Sequence, residues 1–211
     1  SLRIKLGGCV KFIDEDKNVY LSQIEDITKK SLKAKIISKK NSNRLLKTDL
    51  CLIQGVLALD SQNLLIANAT QAGIKELFPI ICDNSTVSIK NAKDKVDKWQ
   101  KIAYENFKQC ERADFLKIHP VSTLRETLGE FKKNNVLIFV EKEDNTTFDK
   151  AISDIDKQEK IAVVIGPEGG FSDREFEYFK TYKKLSLGKL IYKAPNAVVA
   201  AISNVVSRVE K

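Results

Sequence analysis

The first fifty residues alternate between apolar and polar positions in short runs. CVKFID (9–14), VYLSQI (19–24) and SLKAKIIS (31–38) are separated by the charged segments DEDKN and EDITKK. Period-two alternation predicts strands with one solvent face, so a small barrel or curled sheet is expected here. The pattern then changes. CLIQGVLAL (51–59), ELFPII (76–81), VLIFVE (136–141) and IAVVIG (161–166) are apolar runs, as in a sheet covered on both faces. Helical spacing lies between them: 61–73, ending at Gly73, and 93–112, with Val96, Trp99, Ile102, Ala103, Phe107 and Cys110 recurring on one side. Thr123 and Glu126 form a capping box for a helix through about Lys133. Further helices are expected over 148–156, from Ser172, and from about Asn196 after the strand KLSLG (184–188). Alternation from residue 50 onward predicts an α/β fold with a mostly parallel sheet, and a boundary near 45–50.

Charge adds a partner class. Lys and Arg number 36 against 28 Asp and Glu, a formal net charge of +8. That excess suits a polyanion, and equally a lysine-rich chain with solvated helix faces. Lys90, Lys93, Lys95, Lys98, Lys101 and Lys108 are interleaved with Asp94, Asp97 and Glu105, which fits either reading. No apolar run reaches the roughly 18 residues of a membrane span, and the start, SLRIKLGG, lacks a signal-peptide pattern. A cytoplasmic protein with no membrane partner is expected. Cys9, Cys51, Cys82 and Cys110 are far apart and His119 is the only histidine, so no metal site is expected. Trp99 is expected in the core and His119 at the surface. No methionine occurs, even at position 1, which fits either a segment of a longer chain or a sequence whose methionine positions are lost.

The candidate chemistry centres on VVIGPEGGFSDREFE (163–177), where a buried strand passes through Gly166, Pro167, Glu168, Gly169 and Gly170 into a helix. In open α/β sheets, ligands bind at the carboxyl ends of strands, and glycines let backbone groups approach them closely. Ser172 and Glu175 form a capping box, so the helix start is satisfied internally, which weakens a phosphate cradle. No GKS or GKT follows and the spacing is not GxGxxG, so neither an ATPase nor a standard dinucleotide fold is supported. A second loop, LSLGKLIYKAPNAVVAAI (185–202), closes another strand at Leu187 and Gly188. Two such strand ends, with LIFVE (137–141) as a third wall, could wrap one small ligand.

Together these stretches resemble the bacterial 16S ribosomal RNA uridine-N3 methyltransferases, members of the SPOUT class of knotted S-adenosylmethionine-dependent enzymes. VIGPEGGFSDREFE and the 185–202 loop carry the resemblance. KWQKIAYENFKQCER (98–112) is similar to the family's RWQKI…EQCGR helix, and NATQAGIKELFPI (68–80) to its KATELGVxxIxPL. LRIKLGGCVKFID resembles the family's N-terminal barrel from its second strand on.

The resemblance implies a PUA-like RNA-binding β-barrel over 1–48 and a SPOUT methyltransferase domain over 49–211, with a deep trefoil knot at about 161–205. It implies S-adenosylmethionine as cofactor, the RNA of the small ribosomal subunit as partner, and a homodimer. The cofactor would lie against three loops. The first holds Phe139, Val140 and Glu141, and the second Ile165, Gly166, Pro167, Glu168, Gly169 and Gly170. The third holds Leu187, Gly188, Ile191, Tyr192, Asn196 and Ala197. Departures cluster in the last loop. Leu190 and Lys193 replace two arginines, and Ala194, Pro195 and Asn196 stand where Thr-Glu-Thr is usual. Gln71 replaces a glutamate, Glu111 a glycine and Leu116 a proline.

Uridine N3 becomes nucleophilic only when its proton leaves, and it sits on the pairing edge, so the base must be unpaired or flipped. Lys193 is the candidate for stabilising negative charge on the uracil, and Asn196 for orienting the base edge. Arg112 is a candidate RNA contact and Glu168 a candidate base. Two other readings stay open: a SPOUT enzyme acting on transfer RNA or a ribose 2′-hydroxyl, and a non-catalytic RNA-binding protein of the same fold.

Overall fold

The computed structural model describes residues 4–42, 44–141 and 145–210. The described residues divide into two compact units. The first holds those up to Leu45 together with Glu111–Asp114. It is an antiparallel sheet of β1 (Cys9–Ile13), β2 (Asn18–Ile27) and β3 (Leu32–Asn41) in the order β1-β2-β3. The three expected strands are present, with bulges between Leu21 and Ser22 and between Ile24 and Asp26. Asp14 fastens the first turn: its carboxylate accepts from Asn18 Nδ2 at 2.9 Å and from Tyr20 Oη at 2.7 Å. Those bonds, Asn18's first, hold its pKa below the usual carboxylate range.

Return of residues 111–114 to this unit was not legible in the sequence. Glu111 has φ +51°, in the left-handed region. Its carboxylate pairs with Lys11 at 2.9 Å and Arg44 at 3.3 Å, giving the side chain two partners that a glycine would lack.

The second unit is α/β, with a seven-stranded sheet in which every pairing is parallel. Its strands are β4 (Leu50–Gly55), β5 (Glu76–Ile81), β6 (Lys117–Ile118), β7 (Ser122–Thr123), β8 (Val136–Phe139), β9 (Ile161–Ile165) and β10 (Lys183–Leu185). The order is β10-β8-β9-β4-β5-β6, with β7 also pairing β5. The apolar runs are strands because both of their faces are covered. Leu50 and Leu52 face one core cluster, with Leu65 of α1 (Leu59–Gln71), Trp99 of α3 (Val96–Gln109), Ala151 of α5 (Phe148–Ser153) and Val198 of α7 (Ala194–Val209). Cys51 and Ile53 face the other, with Leu124 of α4 (Leu124–Leu128) and Phe179 of α6 (Asp173–Phe179).

Several expected boundaries shift. β4 ends at Gly55, and Leu59 already belongs to α1. The long helix expected over 93–112 is α3, starting three residues later, and a separate short helix, α2 (Ile89–Lys93), precedes it, opened by the Ser88 cap, whose hydroxyl accepts from Asn91 N. The Thr123–Glu126 capping box is present, but α4 ends at Leu128 rather than near Lys133. Trp99 is in the core, 2% exposed. His119 is half-buried rather than a free surface residue: its ring stacks on Phe78 at 4.0 Å and Nε2 lies 2.7 Å from Glu76.

Candidate active site

Three neighbouring strands leave the sheet at one level. Leu185, Phe139 and Ile165 are register partners on β10, β8 and β9, and each is the last residue of its strand. Because the strands are parallel, their three following loops start side by side at the carboxyl edge, where open α/β sheets place ligands. Between these loops lies a cavity of about 820 Å³. Phe139, Val140 and Glu141 line it from the first loop, and Ile165 through Phe171 from the second. Ser186, Leu187, Gly188 and Leu190 through Pro195 line it from the third, with Ala197 of α7. Phe171, Phe176 of α6 and Ser61 of α1 also line it, and none of the three had been singled out from the sequence. The two phenylalanines were hidden by the capping box between them, which reads only as a helix start.

The glycine loop is gripped from several directions. Pro167 O accepts from Gly170 N at 2.9 Å, closing a tight turn. A Cβ on Gly55, at the end of β4, would sit 2.5 Å from Pro167 Cδ, so this glycine lets the loop pack on the neighbouring strand. Asn84 donates from Nδ2 to the carbonyls of Gly169 at 3.1 Å and Gly170 at 3.4 Å. Its own Cβ occupies the space a Gly169 side chain would need, 3.0 Å away. Asp83 accepts from Ser172 Oγ at 2.6 Å and Arg174 Nε at 3.1 Å, binding the start of α6 to the end of β5. Those bonds, the serine's first, lower its pKa. Gly170 and Gly188 differ from Gly55 and Gly169. Both have positive φ, +67° and +100°, and an added Cβ at either would meet nothing within 4 Å. The space a side chain would take is open at both, and both line the cavity.

Beneath the loop, Gln54 and Gln62 are fully buried and satisfy each other. Gln62 Nε2 donates to Gln54 Oε1 at 3.1 Å, Leu57 N donates to Gln62 Oε1 at 2.9 Å, and Gln54 Nε2 donates to the Gly55 carbonyl. A satisfied buried amide pair stiffens its surroundings.

The candidate catalytic residues separate. Lys193 is exposed, lines the cavity and stands at the N-cap of α7. Asn196 is exposed on the first turn of that helix; its backbone N–H donates to Lys193 O at 2.8 Å, and it is not among the cavity-lining residues. Glu168 lines the cavity, but its carboxylate accepts from Ala58 N at 3.2 Å, before the start of α1. Arg112 belongs to the other unit, is 6% exposed, and donates from Nε to Asp114 at 2.9 Å. Within the second unit, Lys193 and Glu168 line the cavity and Asn196 does not.

All four cysteines are free. Burial pushes the Cys51 thiol up to about 12, with Glu76 adding to it, and burial likewise raises Cys82 beside Glu175. Neither offers a thiolate nucleophile. Among the described residues no His, Cys, Asp and Glu cluster could hold a metal ion, and no helix is long and apolar enough to cross a membrane.

The RNA methyltransferase domain family matches residues 44–206. Ribosomal RNA small subunit methyltransferase E of Rickettsia conorii is 30% identical over 213 residues, covering 97% of this chain and 82% of that protein. The chain belongs to the ribosomal RNA small subunit methyltransferase E family. The family's protein from Aquifex aeolicus is 27% identical over 189 residues, covering 88% of this chain and 80% of the relative. Among solved structures, the family's protein from Neisseria gonorrhoeae bound to S-adenosyl methionine superimposes with a TM-score of 0.84 at 21% identity, covering 98% of this chain and 85% of that one. A methyltransferase of Legionella pneumophila, also with bound cofactor, gives 0.85 at 24% identity with the same coverage. These two likenesses establish a shared fold.

Proposed function

We propose that this family member transfers a methyl group from S-adenosylmethionine to N3 of a uridine in small-subunit ribosomal RNA. The observation that carries the reading is the register-aligned ending of β10, β8 and β9 around one cavity. The residues fit the cofactor. The cavity's size is that of a small-molecule site, its walls mix apolar and polar groups, and Gly170 and Gly188 leave backbone open to a ligand. The three loops would hold it through Phe139 to Glu141, Ile165 to Gly170, and Leu187 to Ala197. When bound, the sulfonium supplies a methyl group that is already electrophilic.

The chain's task is then to align the uracil and stabilise the negative charge that develops when N3 loses its proton. Lys193 is assigned that charge. It sits at the start of a sixteen-residue helix whose positive end faces the same rim, so side chain and helix dipole act together. Asn196 is assigned to the base edge, beside the cavity rather than in it. Glu168 is assigned to holding the loop through Ala58 rather than to proton abstraction. Arg112, buried against Asp114, is assigned to holding the 111–114 segment.

We further infer a PUA-like barrel for the N-terminal unit, a trefoil knot over about 161–205, and a homodimer in the cytoplasm. Leu190 and Ile191, 73% and 76% exposed, support self-association through the last loop. Calorimetric titration of S-adenosylmethionine tests the cavity. Wild type should bind, and Gly188→Val, which also strains the backbone at φ +100°, should bind at least tenfold more weakly while circular dichroism shows it still folded. No binding by folded wild type would overturn the reading.

A further inference from the structure

A second surface, away from the cavity's lining residues, combines aromatic and basic side chains. Tyr104 and Phe107 of α3 and Phe115 beyond it form one cluster. Ring centroids are 6.4 Å apart for Tyr104–Phe107, 5.7 Å for Tyr104–Phe115 and 5.5 Å for Phe107–Phe115. Trp99 and Ala103 turn the other side of the helix into the core, which leaves this cluster outward. Tyr104 is 50% exposed and Phe115 41%.

Lysines rim the cluster. Lys108 Nζ lies over the Tyr104 ring at 4.8 Å. Lys101 is one turn before Tyr104 on the same helix face. Phe115 and Lys117 are exposed while Leu116 between them is buried, so the two share the outward side of an extended segment. Asp97 and Glu105 are the nearby acids on α3. Glu105 is paired with Lys108 at 2.7 Å. Among the described residues neither Lys101 nor Lys117 has an ion-pair partner.

We propose that Tyr104, Phe107 and Phe115, with Lys101, Lys108 and Lys117, form a docking surface for single-stranded RNA outside the methyl-transfer cavity. This rests on the RNA methyltransferase reading. Stacking of bases on aromatic rings combined with cations that follow the phosphates is how sequence-tolerant single-strand sites work. The lysine rim decides against a protein partner, since lysine is depleted in protein–protein interfaces, whereas Lys101 and Lys117, without an ion-pair partner among the described residues, are placed to complement phosphates. Such a surface would hold a flanking strand while the target base is presented elsewhere.

The test is fluorescence-anisotropy titration of a labelled single-stranded RNA dodecamer into wild type, Tyr104→Ala, Phe115→Ala, Tyr104→Phe and Lys101→Glu. Thermal unfolding and S-adenosylmethionine affinity are measured on each as controls. Removing one ring should weaken RNA binding by about 5- to 100-fold. Tyr104→Phe should restore it, because the ring rather than the hydroxyl is used. Lys101→Glu should weaken it and flatten its salt dependence. Cofactor affinity and unfolding temperature should stay unchanged. If wild type binds RNA and the variants bind equally well, this surface is overturned while the enzymatic reading stands. If sedimentation shows that the variants alter self-association and not RNA affinity, the face is a protein interface and the proposal fails. If wild type binds no RNA, single-stranded or ribosomal, the enzymatic reading fails first and takes this proposal with it.

Discussion

Asn84 both bonds Gly169 and fills the space its side chain would take: Nδ2 donates to the Gly169 carbonyl at 3.1 Å, and its Cβ lies 3.0 Å from where a Gly169 Cβ would stand. The glycine at 169 is therefore explained by packing, whereas those at 170 and 188 face open space. Asn84→Ala should lower S-adenosylmethionine affinity about fivefold, the equivalent of one net hydrogen bond of about 1 kcal/mol. Asn84→Asp should lower it further, because a carboxylate would face two carbonyl oxygens. Calorimetry on the three proteins checks the order.

Gly55→Ala addresses the other side of the loop. Its Cβ would lie 2.5 Å from Pro167 Cδ and 2.6 Å from Pro167 N, with Cys82 Sγ at 3.1 Å. Backbone and a rigid ring cannot give way cheaply, so overpacking should cost about 1–3 kcal/mol. Differential scanning calorimetry should show Tm lowered by about 2–10 °C.

Asp83 makes the clamp sensitive to acid. Its hydrogen bonds to Ser172 and Arg174 lower its folded pKa, so the unfolded chain takes up this proton first as pH falls. The stability it contributes is full above the unfolded carboxylate value of about 3.9 and is lost as pH drops through the lowered folded value. Asp83→Asn should reduce Tm at neutral pH, and the gap to wild type should close progressively below about pH 4. A gap independent of pH would remove the carboxylate from the account.

Lys193 and Glu168 should respond oppositely. Lys193→Ala should reduce kcat by about 10- to 1000-fold, as when one charge-stabilising donor is removed, with cofactor affinity little changed. Glu168→Gln keeps an acceptor for Ala58 N and should retain activity within about threefold and an unaltered pH–rate profile. Loss of the alkaline plateau in that variant would make Glu168 the base after all.

The sheet was readable because β4, β5, β8 and β9 are buried on both faces and so carry unbroken apolar runs. The caps at Thr123 and Ser172 were readable because a hydroxyl and a glutamate three residues apart answer each other locally. The start of α3 at Val96 was not, since Lys95 caps it without a side-chain bond. The two-residue strands β6 and β7 exist only through pairing with β5 and leave no periodic trace. At the site, GPEGG and SLG announced two of the three loops. Asn84, Asp83 and Gln54 could not be found this way, because their roles depend on loops that meet only in the folded sheet.

The central claim is methyl transfer to uridine N3, and nucleoside mass spectrometry tests it most directly. Unmodified small ribosomal subunits would be incubated with the protein and S-adenosylmethionine, and their RNA digested and analysed. The account predicts N3-methyluridine at a single position, absent without protein and strongly reduced with Lys193→Ala. Methylation of a ribose hydroxyl or of transfer RNA instead, or cofactor binding with no methylated nucleoside, would contradict it.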